Sequence, residues 1–515
     1  MKTLIVAITS RQKLFYSASL PNAEFIENNC EYKDLISRIG TDNVTLIIPS
    51  SINLDSVASY SGIDLALDCY IHFLNNNLLE SSIIIVGFED KGAFYEHCLL
   101  SDVIRCPGIH YVQDPKDAVA HALNTPNLPF DKQKAIKSLS FVRVTPPTAF
   151  KSHHTIVNEW SIMRWSKYLG FNPKNLNSID SLYFRYLKAT LPIEPTGALK
   201  RLSEKFSCSI LIIDDEIAKG WKDFYAELFR PYQSVSIHMI GDSFKSSSQD
   251  QIFNSCCSEV ESFNPDIVLI DLRLHESDLE RMSDENKDRI TGIRVIEKIK
   301  QVNRGIQVIG ITASSKVWNY QKIQHLVDGY IVKESPELSS IDGYTGRAVK
   351  NLIDTLIISS ERKYLKDTFI EKNELISKIS DLRSDDHIES IKTHLEMSFQ
   401  LEEIARTPDQ YAFAYVNLYQ IFEILVQKYY NHIPESVPDT FMENIKYIYK
   451  NILGGNSPLF YDSVKRIYDR RNAYIHQNKP QLQRLPGSNI FNKYGYLDAF
   501  KYVKEILSRV VDYES

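Results

Sequence analysis

The feature that most constrains this 515-residue chain is a series of short β-branched runs, each closing on polar or acidic residues and each followed by a stretch of helical spacing. SILIIDD (209–215), DIVLIDLRL (266–274), GIQVIGITAS (305–314) and DGYIVKES (328–335) have the apolar centres of buried strands. Buried strands alternating with helices predict a parallel α/β sheet. TLIVAITS (3–10), NVTLIIPSS (43–51), SSIIIVGFED (81–90) and GIHYVQDP (108–115) present the same pattern nearer the N-terminus. Between the second and third runs both sets carry a helix that opens with Gly-Ile, SGIDLALDCYIHFL and TGIRVIEKIKQV. Four strands and one helix in the same order argue for a duplicated unit, against a chance match of generic α/β segments.

The remainder reads differently. From about Asn351 the chain is rich in Lys, Glu, Leu, Ile and Tyr at helical spacing, with no convincing strand. Leu375, Ile379 and Leu382, continued by Ile388, Ile391 and Leu395, predict one long amphipathic helix, a coiled-coil-like connector entering an all-α domain. Between the two sheets, at about 120–205, Trp160, Trp165, Tyr168, Tyr183 and Tyr186 read as helix-packing core. Pro146, Pro147, Pro173, Pro192 and Pro195 divide that segment into short pieces. The expected organisation is an α/β domain at 1–118, a helical connector at 119–205, a second α/β domain at 206–340, a helical linker at 341–400 and a helical domain at 401–515. The fold class is multidomain α/β plus all-α.

Composition bounds the function. The chain is 43% hydrophobic and 24% charged, which is ordinary for globular domains. With 59 basic and 65 acidic side chains the net charge is −6, excluding a protein that grips nucleic acid by bulk charge but not a local site. Seven cysteines, all in the first half, form no CxxC pair and read as buried free thiols of a reducing compartment. No apolar run approaches the roughly 20 residues that span a bilayer. MKTLIVAITSRQKL, interrupted by Arg11 and Lys13, reads as a first strand and not as a signal peptide. The expected location is cytoplasmic, with no membrane partner.

The strongest chemistry lies at Asp214, Asp215, Asp271, Thr312 and Lys333, each at the C-terminal end of an expected parallel strand, where ligands of open α/β sheets bind. Three converging carboxylates repel one another unless a hard divalent cation compensates them, and oxygen-only ligation favours Mg²⁺. Lysine and threonine at the neighbouring strand ends add a cation and a hydroxyl donor for an oxyanion. Together these groups suit acceptance of a phosphoryl group. IIDDE, VLIDLRL, GITAS and GYIVK, in this order, resemble the receiver domain of two-component response regulators over about 206–340. The resemblance implies a flavodoxin-like doubly wound sheet with Asp271 as phosphoacceptor. It implies Mg²⁺ held by Asp214, Asp215, Asp271 and the Arg273 backbone carbonyl. Thr312 and Lys333 would contact the phosphoryl group, and Tyr330 would be the aromatic whose rotamer reports it. A histidine kinase or another phosphodonor would be the partner. Glu334 departs from the family, which usually has proline after the lysine, and HESDLERMSDENKDRIT (275–291) is longer than the usual loop. That loop reads as a solvated charge run or a gate on kinase access. The first unit has Thr9 and Ser10 where Asp214 and Asp215 stand, Pro49 or Ser50 for Asp271, and Gln113 near the place of Lys333. It is expected to be a degenerate, pseudo-receiver-like sheet serving docking or dimerisation.

A second signal is DRRNAYIHQ (469–477). Arg471 and His476 are five apart and do not share a face of a regular helix, whereas Asn472 and His476 do. Arginine, amide and histidine at one helix end suit a phosphodiester, although they also simply complement a helix C-terminus. RNAYIH resembles the RN-x-x-x-H signature of HEPN domains, with Glu423 in the upstream apolar helix YAFAYVNLYQIFEILVQKYY (411–430) as the matching acid. The resemblance covers about 365–515 and implies a helical bundle. Paired in a homodimer, such bundles cleave RNA through Arg471, Asn472, His476 and Glu423, without a metal or other cofactor and with the ribose 2′-hydroxyl as nucleophile. Lys465, Arg466, Arg470 and Arg471 form either a phosphate-binding cluster or a solvated face.

The combined expectation is a phosphorylation-controlled response regulator with a metal-independent endoribonuclease output, in stress or anti-phage defence by family association. Two alternatives stand beside it: a non-catalytic phospho-dependent signalling adaptor or dimerisation scaffold, and a DNA-binding regulator. The second lacks a helix-turn-helix with a basic recognition helix.

Overall fold

The structure is a computed structural model describing residues 2–7, 9–27, 32–52, 59–125, 128–147, 153–171, 181–193, 206–278, 290–313, 323–475 and 491–515. Two five-stranded, wholly parallel sheets are followed by a helical region. The first sheet contains β1 (Lys2–Ala7), β2 (Glu24–Glu27), β3 (Val44–Pro49), β4 (Ser82–Val86) and β5 (Ile109–Val112), in the order β2-β1-β3-β4-β5. The second contains β6 (Cys208–Ile213), β7 (Val235–Ile240), β8 (Ile267–Asp271), β9 (Gln307–Thr312) and β10 (Gly329–Val332), in the order β7-β6-β8-β9-β10. Counted from its own first strand, each sheet is 2-1-3-4-5, the doubly wound order of flavodoxin-like folds.

The eight expected strands are present, and β2 and β7, each at one edge of its sheet, are additional. β2 has only four residues, and β7 is partly exposed along its whole length, so neither carries a buried strand's run of apolar residues.

Helices α1 (Ser10–Ser19), α2 (Tyr32–Ile39), α3 (Ser61–Asn76), α4 (Lys91–His97) and α5 (Pro115–Asn124) accompany the first sheet. After α6 (Lys132–Leu139), α7 (His153–Leu169) and α8 (Leu182–Thr190) come α9 (Trp221–Phe229), α10 (Gln249–Phe263), α11 (Thr291–Val302) and α12 (Tyr344–Glu361) around the second. α12 buries Val349, Leu352, Ile353 and Leu356 against β6, β8 and β9, so the cover of this sheet extends past residue 340.

The Gly-Ile helices α3 and α11 occupy equivalent positions. The Gly62 amide donates to the Ser50 carbonyl and the Gly292 amide to the Leu272 carbonyl, both at 3.1 Å. A Cβ on Gly62 would lie 1.8 Å from the Pro49 carbonyl oxygen, and one on Gly292 would lie 2.4 Å from that of Asp271. Only glycine admits such an approach, and the match sets Pro49 level with Asp271. Carried across the pairings Leu4 with Leu46 and Leu211 with Val268, this register puts Ala7, not Thr9, level with Asp214. Thr9 instead caps α1.

α7 packs between the two sheets. Ile156 and Trp160 enter the first core, while Ile162 and Trp165 enter the second. Arg185 of α8 makes two 2.8 Å bonds to the buried Asp68 of α3. The expected aromatics Trp160, Trp165 and Tyr186 are buried core residues.

The helical region comprises α13 (Tyr364–Ser380), α14 (Asp386–Ile404), α15 (Pro408–Tyr429), α16 (Phe441–Tyr447), α17 (Phe460–Ile475) and α18 (Lys493–Glu514). The expected single long helix is two. The chain leaves α13 at Asp381, and Asp385 caps α14 by accepting the Ile388 amide at 2.8 Å. The stripe from Leu375 to Leu395 is accordingly core of this bundle and not an exposed coiled-coil seam. The bundle docks on the N-terminal ends of the second sheet's strands. Lys363 Nζ donates to the Ser207 carbonyl at 2.7 Å, and Lys366 Nζ donates to the Asn264 carbonyl and Asp266 at 2.9 and 3.0 Å.

No helix among the described residues is long and apolar enough to cross a membrane. Six cysteines are free, five of them buried; Cys30 lies outside the described residues.

Candidate functional site

β6, β8, β9 and β10 end at one crevice of the second sheet and bring Asp214, Asp271, Thr312 and Lys333 together. Lys333, wholly buried, donates from Nζ to Asp214 Oδ2 at 2.9 Å and to Asp271 Oδ2 at 2.8 Å. Its amide donates to the Thr312 carbonyl at 2.7 Å, which fixes β10 against β9 at this level. The other oxygens of the two acids hold the chain that follows them: the Glu216 amide donates to Asp214 Oδ1 at 2.8 Å and the Arg273 amide to Asp271 Oδ1 at 3.1 Å. Tyr330, expected nearby, is half-buried on β10, and burial followed by the Asp271 charge pushes its hydroxyl up to about 12.

Asp214, Asp215 and Asp271 each present a carboxylate oxygen, all within 4.8 Å of one another. Burial and then the charges of Asp214 and Asp271 raise Asp215 well above the ordinary 3.8, and Asp214 is also raised, chiefly by burial and against the pull of Lys333. Lys333 is held above its ordinary value although burial opposes this, because Asp214 and Asp271 face it. One ammonium facing three carboxylates leaves an excess of negative charge, and Asp215 Oδ1 is buried without a hydrogen-bond partner. Such an oxygen is costly unless something takes it up. These residues fit a hard divalent cation of the Mg²⁺ type.

The electrostatics predict a pH-dependent stabilisation by Mg²⁺. A carboxyl raised in the folded state keeps a proton that the unfolded chain has released, so stability falls as pH rises from about 3.8 towards the raised value. A bound cation removes this penalty, and its effect therefore grows with pH. At tenfold over its dissociation constant Mg²⁺ should add about 1.4 kcal/mol, and the gain in thermal melts at matched ionic strength should be larger at pH 8 than at pH 5. Equal gains at both pH values would count against a carboxylate site.

Three residues of the crevice were not singled out from sequence. Trp221, at the start of α9, lies with its ring 4.9 Å from Lys333 Nζ. Asp278, wholly buried, accepts the amides of Leu274 and His275 at 3.1 Å, the Thr291 hydroxyl at 3.1 Å and Gln249 Nε2 at 2.6 Å. It ties the chain after Asp271 to the start of α11. Its place in a highly charged stretch concealed it, and 279–289 of that stretch lie outside the described residues. Glu334, noted only as a departure, is a buried carboxylate bonded to Arg164 Nε at 2.6 Å.

No protein-family model matches the chain, and no curated protein matches its sequence.

In the helical region α15 and α17 bring Glu423 to Arg471, Nη2 to Oε1 at 3.5 Å. Arg471 Nη1 also donates to Asn472 Oδ1 at 2.9 Å, and the guanidinium lies 4.9 Å from the centre of the Tyr419 ring. Arg471 Nε is buried without a partner. A cavity of about 670 Å³ opens beside Glu423, walled by Tyr430, Asn431, Asp439, Phe441 and Asn444. His476 lies outside the described residues. Of the expected basic cluster, Lys465 pairs with Asp469 at 2.7 Å, Arg466 approaches Asp498 at 3.9 Å and Arg471 holds Glu423. Counter-ions thus already engage three of its four cations.

Proposed function

We propose that the second α/β unit is a phosphoryl-accepting receiver whose state governs the helical region, and that the helical region is a HEPN-type endoribonuclease. The observation that carries the first half is Lys333 Nζ bridging Asp214 and Asp271 in a crevice where Asp215 keeps an unsatisfied oxygen. Asp214, Asp215, Asp271 and the Arg273 carbonyl would hold Mg²⁺, which supplies neutralising charge to the incoming phosphoryl oxygens. The remaining chemistry belongs to the chain. An Asp271 carboxylate oxygen attacks phosphorus and forms the O–P bond. The bond from phosphorus to the donor's nitrogen or oxygen breaks, and the leaving group keeps the electron pair and takes a proton. Lys333, already between the two carboxylates, is placed to follow the new negative charge onto the phosphoryl group, and Thr312 adds a hydroxyl. A histidine kinase or a small-molecule phosphodonor is the source.

For the helical region, the pairing of Arg471 with Glu423 beside an open cavity supports the RNase reading, with His476 supplying the proton-exchanging group and a second protomer completing the site. The adaptor reading draws on the same contact, because a guanidinium held by Glu423, Asn472 and Tyr419 is also a structural tie.

Incubating the protein with total RNA, with and without acetyl phosphate and Mg²⁺, tests the proposal. RNA should be cut, the rate should change with the phosphodonor, and His476→Ala should reduce cutting by about 100-fold or more. RNA left intact under both conditions would favour the adaptor.

A further inference from the structure

Glu334 takes the position after the crevice lysine, and its side chain is wholly buried. Its carboxylate accepts hydrogen bonds from three directions. Arg164 Nε and Trp165 Nε1 reach it from α7 at 2.6 and 3.1 Å, Thr345 Oγ1 from the first turn of α12 at 2.8 Å, and Ser339 Oγ at 2.6 Å. Ser161 Oγ of α7 donates to the Glu334 carbonyl at 2.8 Å. A buried, charge-assisted network of this kind holds its members in one arrangement. The peptide joining Lys333 to Glu334 is therefore clamped at one end by two crevice carboxylates and at the other by two helices.

Those helices lead away from the crevice. α12 spans 18 residues, about 27 Å at 1.5 Å per residue. Beyond its far end Arg362 donates to the carbonyls of Ala405, Glu402 and Glu403 at 2.9, 3.1 and 2.6 Å, at the close of α14 in the helical region. α7 carries Trp160 into the core of the first sheet and touches the crevice again through Asn158, which accepts from Trp221 Nε1 at 3.1 Å.

We propose that Glu334 is the positioning residue that converts a change in what Lys333 holds into displacement of α7 and α12, with α12 conveying it to the helical region. The inference rests on Asp271 as phosphoacceptor. When Lys333 shifts towards a phosphoryl group, the adjoining peptide follows, and the Glu334 carboxylate re-aims its donors on both helices.

The test uses the full chain in two parallel samples, one assayed for labelling by acetyl phosphate and one, unlabelled, followed by hydrogen–deuterium exchange with and without Mg²⁺ and beryllium fluoride. In the wild type the phosphoryl mimic should change exchange within 155–169 and 344–361 by about fivefold or more. Glu334→Gln should still be labelled with acetyl phosphate, yet lose the exchange response in both helices. A merely structural role would alter basal exchange but not abolish the ligand-dependent difference. A labelled Glu334→Gln protein with a wild-type response in both helices overturns the inference. If Glu334→Gln does not fold, Thr345→Val decides, because an unchanged response in 344–361 overturns it equally. Failure of the wild type to be labelled at all would instead remove the phosphoacceptor reading, and the inference with it.

Discussion

Asp271→Asn removes Mg²⁺-dependent labelling by acetyl phosphate to background while leaving the fold in place. The loss follows from chemistry, because an amide oxygen is too weak a nucleophile to form the acyl phosphate. The fold survives because asparagine keeps one oxygen, which can still accept the Arg273 amide that stands 3.1 Å from Asp271 Oδ1, and Lys333 Nζ, which loses its 2.8 Å bond to Oδ2, keeps Asp214 at 2.9 Å. Removing one of three mutually repelling carboxylates offsets the weaker contact with lysine, so unfolding free energy should change by no more than about 1 kcal/mol. Phosphate-affinity gels and urea melts on the same samples separate the two effects. An undiminished phosphoprotein band would place the acceptor elsewhere.

Lys333→Met has the opposite profile, with a large cost in stability. Methionine is close to lysine in length and can lie against the Trp221 ring, 4.9 Å from Lys333 Nζ, but Asp214 and Asp271 lose their shared ammonium while remaining buried. Breaking a buried pair by removing one partner costs about 3–5 kcal/mol. The deficit depends on pH. Without Lys333, the carboxyl groups already pushed up by burial rise further, and a folded-state pKa above the unfolded value means stability lost as pH rises. Urea unfolding should therefore show the full deficit at pH 8 and a smaller one at pH 5, where the acids take up protons. A variant as stable as the wild type at pH 8 would show that the lysine does not bear this charge.

Much of the scaffold could be read in the chain because strands inside a parallel sheet need apolar centres, as β1, β3, β4, β6, β8 and β9 have, and the edge strands β5 and β10 still bury Ile109, Tyr111 and Ile331. β2 and β7, at the opposite edges, are the one very short and the other partly exposed along its length, so EFIE and VSIHMI carry no clear strand signal. The carboxylates and Lys333 could be placed because each ends a legible strand. Thr9 lies two residues beyond the level of Asp214 because the pairing register of β1 and β6 with their neighbours, which only three dimensions supply, sets Ala7 there. The break between α13 and α14 escaped because Leu375 to Leu395 keeps helical spacing across it, and the cap at Asp385 was the signal available. Glu334 and Asp278 could not be understood from sequence at all. Their partners lie up to 173 residues away, and a lone acid in a polar stretch looks solvated until those partners surround it.

The bundle grips the second sheet where its strands begin, at Ser207, Asn264 and Asp266, whereas the acids and the lysine gather where the strands finish, about 20 Å away for strands of six residues. Traffic at one pole therefore does not obstruct the other. On the proposed reading, phosphoryl transfer at the acids and RNA at the bundle occupy opposite ends of the sheet, so the two events need not take turns, and any dependence between them must travel through the body of the protein.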